Sequence, residues 1–201
     1  MPVIHIYSPP KEPNFKDLEH HGYDILSDWF DQQLARSVRF YFAVFDQRFH
    51  FLVESKLGSG FSHPESLAGT YQAELWKYDV AEFFLLDPLT GHYLEFNLSP
   101  NGAWWTCGFS EVLVPMGGQP APVPHVETTS QQLNDSWRAQ ASFPLDWLSQ
   151  YYHFGSSSRL NTTFILNSPS QIFLTANPPK GNQPNFHQRE LMNEVKFISL
   201  A

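Results

Sequence analysis

A chain of 201 residues is long enough to bury a core without disulfides, and its single cysteine, Cys107, excludes both an intrachain disulfide and a thiolate zinc cluster. Aromatic residues reach 16 % (18 Phe, 8 Tyr, 6 Trp) while charged residues are only 16 %, against roughly a quarter in ordinary soluble proteins, which excludes intrinsic disorder. With 12 Lys and Arg against 20 Asp and Glu the net charge is −8, so the chain lacks the electrostatic footprint of a nucleic-acid binder and is not suited to an anionic membrane surface.

Residues 1–11 contain neither a basic leader nor an apolar stretch of about 7–15 residues, so no secretory signal is expected and the expected compartment is the cytoplasm. The longest apolar run, residues 40–45, is too short to span a bilayer. Asp24 followed by Ile25, Leu26, Trp29, Phe30, Gln33 and Leu34 at helical spacing predicts a capped helix. That helix belongs to an N-terminal extension, residues 1–36, expected to pack on a single domain formed by residues 37–201.

From residue 38 the period changes to two. Val38, Phe40, Phe42 and Val44 alternate with Arg39 and Tyr41; after a turn at Asp46-Gln47, Phe49, Phe51 and Val53 alternate with Arg48, His50 and Glu54. The pair predicts a hairpin with one buried face. Residues 93–98 alternate Leu94, Phe96 and Leu98 with Tyr93, Glu95 and Asn97. Further strands are predicted over residues 137–142, 161–166, 172–176 and 195–200, with a single helical turn started by Pro144. Turn chemistry falls at residues 58–60, 87–91, 99–102, 115–124 and 177–181; the 115–124 segment, with four prolines, reads as a long loop. Many short strands with frequent turns predict an all-β fold, an antiparallel β-sandwich of jelly-roll or immunoglobulin-like type with little helix.

A hairpin closed by residues 87–91 allows two registers. In the favoured one Glu82 faces Glu95, Phe84 faces Tyr93, and Ala81, Phe83 and Leu85 join Leu94, Phe96 and Leu98 in the core. In the other, Glu82 turns inward beside Phe96, where an unpaired charge is costly. The favoured register leaves one sheet face carrying Glu82, Tyr93, Glu95 and Asn97, carboxylates beside aromatic rings, as a polyol ligand would use them. Trp104 and Trp105 point to opposite faces of a strand, so one belongs to the core and the other can line a pocket.

The stretch Leu75-Trp-Lys-Tyr-Asp-Val-Ala-Glu-Phe-Phe-Leu-Leu-Asp, then Tyr93-Leu-Glu-Phe-Asn-Leu-Ser-Pro-Asn-Gly-Ala-Trp-Trp, and the ending Gln183-Pro-Asn-Phe-His before a final strand resemble the DOMON-like proteins related to family 9 carbohydrate-binding modules. Residues 136–148 resemble the strand and Pro-initiated turn between them, so the likeness runs from about residue 37 to the C-terminus. It implies a jelly-roll sandwich whose concave side binds a sugar between two aromatic rings. Carried over by position, Trp76 and Phe186 match the rings and Glu82 a sugar-contacting carboxylate; Glu95 departs from the pattern, standing where sugar-binding members can carry a basic residue. No calcium-binding loop is identified.

The expected function is therefore non-catalytic carbohydrate binding, with Trp76, Glu82, Glu95, Asn97 and Phe186 around a small sugar or glycan end. Two alternatives belong to other classes: an interaction sandwich that has lost the sugar site, and a carboxylate-dependent glycan-processing enzyme using Glu82 and Glu95. No metal or other cofactor is expected. His92, His153 and His187 lack diagnostic spacing, and neither Met116 nor Met192 sits in a haem-ligand motif. Cys107 reads as a buried thiol, and His187 as a strand-start histidine bonding a backbone carbonyl.

Overall fold

Strands with a strict two-residue apolar period cannot stand alone, and here they pair into a sandwich. A computed structural model describes residues 3–56, 62–117, 122–133, 136–167, 170–177 and 181–200; the turn expected at 58–60, and parts of the 115–124 and 177–181 loops, lie outside them. The strands are β1 (Ile4–Ser8), β2 (Tyr23–Ser27), β3 (Gln33–Phe45), β4 (Arg48–Ser55), β5 (Val80–Leu86), β6 (Tyr93–Leu98), β7 (Trp104–Glu111), β8 (Val114–Pro115), β9 (Glu127–Leu133), β10 (Ser136–Pro144), β11 (Arg159–Leu166), β12 (Ile172–Thr175) and β13 (Asn193–Ser199), with one helix, α1 (Leu145–Tyr152). The hydrogen-bonded order is β8-β7-β6-β5-β11-β13-β1-β3-β4-β10-β9, with β12 on β11 and β2 on β3. Strand β13 joins the two sheets: Asn193 and Glu194 pair with β11, and the following residues pair with β1.

The architecture is all-β with one short helix, as the alternation predicts. It is not wholly antiparallel, because β1 runs parallel to both β13 and β3. Ile4 and Ile6 of that strand are fully buried, so β1 fills the seam between two strands that run in the same direction. The boundary expected at residue 36 falls inside β3.

The helix predicted after Asp24 is absent; β2, a turn and the start of β3 stand in its place. Ile25 and Trp29 are buried, and Leu26 and Phe30 are exposed. The Asp28 side chain closes the turn instead: its Oδ1 accepts from the Phe30 and Gln32 amides, both at 2.9 Å, while Asp31 takes a positive φ of 62°. The turn started by Pro144 extends to two turns, Leu145–Tyr152, because Trp147, Leu148 and Tyr152 fall on one buried face. No helix among the described residues is long and apolar enough to cross a membrane.

Between the sheets lies a lattice of rings. Phe83 of β5 meets Phe51 of β4 at 5.1 Å and Phe42 of β3 at 5.7 Å between centroids, and stacks on Phe96 of β6 at 5.4 Å. Phe96 in turn meets Phe143 of β10 at 5.1 Å. Most of the aromatic excess of the sequence is packing of this kind.

Candidate functional site

The site is built on the opposite face of β5, β6 and β7. The β5–β6 hairpin has the expected parity, with Ala81, Phe83 and Leu85 inward, but its register is shifted by two residues from the favoured one: Glu82 pairs with Asn97, Phe84 with Glu95, and Leu86 with Tyr93. A two-residue slip keeps every side chain on its face, so hydrophobic pattern cannot distinguish the two. Glu82 and Glu95 are therefore diagonal rather than opposed. On β7 the outward residues are Trp105, opposite Asn97, and Cys107, opposite Glu95. On β11, Thr163 stands opposite Glu82 and its hydroxyl donates to Glu82 Oε2 at 3.1 Å.

This face is not solvated. Residues 181–192 return across it, and Glu82 and Glu95 are only 3 % and 5 % exposed. Between the returning segment and the sheet is a cleft of about 980 Å³ whose lining includes Trp76, Glu82, Phe84, Glu95, Trp105 and Phe186. Trp76 is carried on a short 3₁₀ turn (Leu75–Lys77) anchored by buried Leu75; it stays 40 % exposed with its ring edge-on to Trp105 at 5.8 Å. Phe186, 7 % exposed, is held from behind by Trp29 at 5.7 Å and Phe173 at 6.1 Å. Trp29 itself is tied to the same segment, its indole Nε1 donating to the Gly181 carbonyl at 3.2 Å.

Four of the five residues singled out in the sequence, Trp76, Glu82, Glu95 and Phe186, thus line one cleft. Asn97 does not. It is fully buried between Glu82 and Trp105, its amide alongside the Glu95 carboxyl. Of the two adjacent tryptophans, Trp104 stacks on Phe96 in the core at 6.0 Å and Trp105 lines the cleft. Trp29, Phe84, Phe109, Ile165 and Phe173 carry no motif, and sequence reasoning missed them; the outward parity of Phe84 was the one usable signal.

Burial sets the electrostatics of the floor. The Glu82 carboxyl is pushed well above the ordinary carboxylate range by loss of hydration and then by the charge of Glu95, with the Thr163 hydroxyl opposing. Burial also raises Glu95, to about 7, while the Asn97 amide alongside works the other way. His187 is not bonded to a backbone carbonyl as expected. Its Nδ1 shares a hydrogen bond of 2.9 Å with the Tyr93 hydroxyl and its Nε2 lies 3.7 Å from Glu95 Oε2, because Tyr93, stacked on Phe109, presents its phenol just where the returning segment crosses. Burial pulls the His187 imidazole down to about 4, so it stands neutral beside Glu95.

His153 pairs instead with Asp87 at 3.0 Å, away from His187, and among the described residues no three His, Cys, Asp or Glu side chains are placed to hold a metal ion. Cys107 is buried on the cleft face of β7.

Solved structures that share this fold include the following. One is a "putative carbohydrate-binding protein" of Bacteroides uniformis ATCC 8492, 15 % identical, with a TM-score of 0.65 over 98 % of this chain and 99 % of that one. The others are structures of a family 9 carbohydrate-binding module of Caldicellulosiruptor kristjanssonii, both 13 % identical: the complex with cellotriose has a TM-score of 0.62 over 98 % of this chain and 95 % of that one, and the complex with glucose 0.57 over 98 % and 97 %. No family model matches the chain, and neither does any curated protein.

Proposed function

We propose that this chain is a non-catalytic carbohydrate-binding protein that holds a small sugar or glycan end in the cleft between Trp76 and Phe186. The observation that supports it most is convergence: two rings and two carboxyls, far apart in sequence, line one cavity of ligand size. Apolar ring faces stack on the hydrophobic faces of a sugar while the carboxyls take up its hydroxyls. Modules of the same fold that were solved with cellotriose and glucose lend this reading further support.

A second reading, glycan processing by the carboxyl pair, draws on the elevated Glu95. Two-carboxyl glycoside chemistry requires one group held protonated and its partner kept ionised. Here Glu82 and Glu95 are pushed the same way, upward, which favours binding over turnover. The test is a glycan panel followed by titration of Trp76→Ala. Binding is expected, and the substitution weakens it by ~1–3 kcal/mol, the scale of one stacked aromatic contact. No binding across a broad panel overturns the proposal, and turnover abolished by Glu82→Gln replaces it with the enzyme reading.

A further inference from the structure

The floor of the cleft has an unmet electrostatic requirement. Among the described residues its lining holds two buried carboxyls, Glu82 and Glu95, and neither lysine nor arginine. The histidine within reach of Glu95 is held neutral by burial. Arg189, on the returning segment, is outside the lining: its guanidinium sits over the Tyr93 ring at 5.9 Å and donates to the Ser110 carbonyl at 2.9 Å. Thr163 supplies one neutral donor to Glu82, and Glu95 has the Asn97 amide and the neutral His187 imidazole beside it. A carboxylate buried without a cation is among the least favourable arrangements in a folded protein. In the free protein protons neutralise the pair, both carboxyls being raised by burial, and a cation brought by a ligand can take their place.

Building on the saccharide reading of the same cleft, we propose that it selects a sugar bearing a protonated amine, the ammonium seated at Glu82 and Glu95 beneath the Trp76 and Trp105 rings. An ammonium offers three donors and a full positive charge, so it satisfies both carboxylates at once with charge-assisted hydrogen bonds. Tryptophan faces strengthen the same preference, since their electron-rich surfaces attract a cation while stacking on the ring that carries it. A neutral sugar offers hydroxyls alone and leaves the repulsion between the two carboxyls to be relieved by a proton. An N-acetylated sugar has the same ring, with a neutral amide in place of the charge. The distinguishing chemistry is thus the charge and not the ring.

The test titrates D-glucosamine, N-acetyl-D-glucosamine and D-glucose, just below neutral pH, into the wild-type protein and the Glu95→Gln, Glu82→Gln and Trp76→Ala variants. Glucosamine is expected to bind at least about tenfold more tightly than either neutral sugar, the scale of one charge-assisted contact. In Glu95→Gln and Glu82→Gln, which preserve shape and are checked for folding by circular dichroism, that preference collapses to within about twofold. In Trp76→Ala all three sugars weaken and the preference survives. Equal binding of the three sugars by the wild type overturns the selectivity and leaves carbohydrate binding standing. A preference that persists in both glutamine variants overturns its assignment to these carboxyls, and failure of every sugar to bind the folded protein overturns both readings.

Discussion

Strands β5 and β6 have two faces with nearly the same access to water and opposite chemistry. On the inner face, Ala81, Phe83, Leu85, Leu94, Phe96 and Leu98 are buried, apolar and in contact with rings of the other sheet. On the outer face, Glu82, Phe84, Tyr93, Glu95 and Asn97 are just as thoroughly covered, yet two are carboxyls lifted in pKa and one is an amide beside them. A face under selection for stability alone would resemble the first, because burying polar groups without partners costs about 1–3 kcal/mol each. The second face buries such groups beside a cavity, the arrangement on which the binding proposal rests.

Four substitutions or conditions can break or sharpen this contrast. The largest effect is expected on the inner face: Phe83→Ala, which removes a ring touching five others, lowers the unfolding free energy by about 3–5 kcal/mol in urea titration. A loss of under about 1 kcal/mol would mean that the inner face is not the continuous core described. On the outer face the sign reverses: Glu95→Leu raises stability by about 1–3 kcal/mol at mildly alkaline pH, as expected when a buried ionised group gives way to an apolar one. A destabilised variant there would show that Glu95 has a structural partner.

The third effect is a pH dependence. Glu95 has a folded pKa near 7, above the ordinary 4.5, so the native state binds the extra proton; the stability this contributes is complete below about 4.5 and is lost as pH rises through 7. Its own share of the slope is on the order of 1.4 kcal/mol per pH unit at most; Glu95→Gln removes that share and leaves the share of Glu82, whose carboxyl is raised in the same direction. His187 acts oppositely. Its folded pKa near 4 lies below the ordinary 6.5, so its term gains stability as pH rises from 4 to 6.5 and partly masks the carboxyl term in the wild type. If the Glu95→Gln and wild-type profiles run parallel, the elevated carboxyl is not present. The smallest effect is at the rim: Trp76→Ala, at a partly exposed ring, changes stability by about 0.5 kcal/mol or less while weakening sugar binding.

Parity was legible in the sequence and register was not. The period of two assigned Phe83 and Phe96 inward and Glu82 and Glu95 outward, because a misassigned face would bury charge in the core. The two-residue offset of the hairpin leaves that pattern untouched, and the connection runs from Asp87 to His92 between the paired Leu86 and Tyr93. The helix expected after Asp24 failed for a local reason: apolar residues fell at helical spacing, but an aspartate satisfying two amides closes a turn in the middle of the segment. Strand β9 is polar and exposed along its length and shows no apolar alternation by which to find it. Within the site, Trp76 and Phe186 came from the family resemblance. Trp29 behind Phe186, and Tyr93 bonded to His187, are long-range contacts with no trace in local pattern.

Whether the outer face is a ligand site can be read directly from the six tryptophan indole N–H signals in a nitrogen–proton NMR spectrum during titration with a glycan, glucosamine first. Saturable shifts at Trp76 and Trp105, with Trp104 and Trp137 in the core unmoved, would place the ligand in the cleft on the outer face. Unchanged spectra with a broad set of sugars at millimolar concentration, or shifts confined to tryptophans away from the cleft, would contradict it.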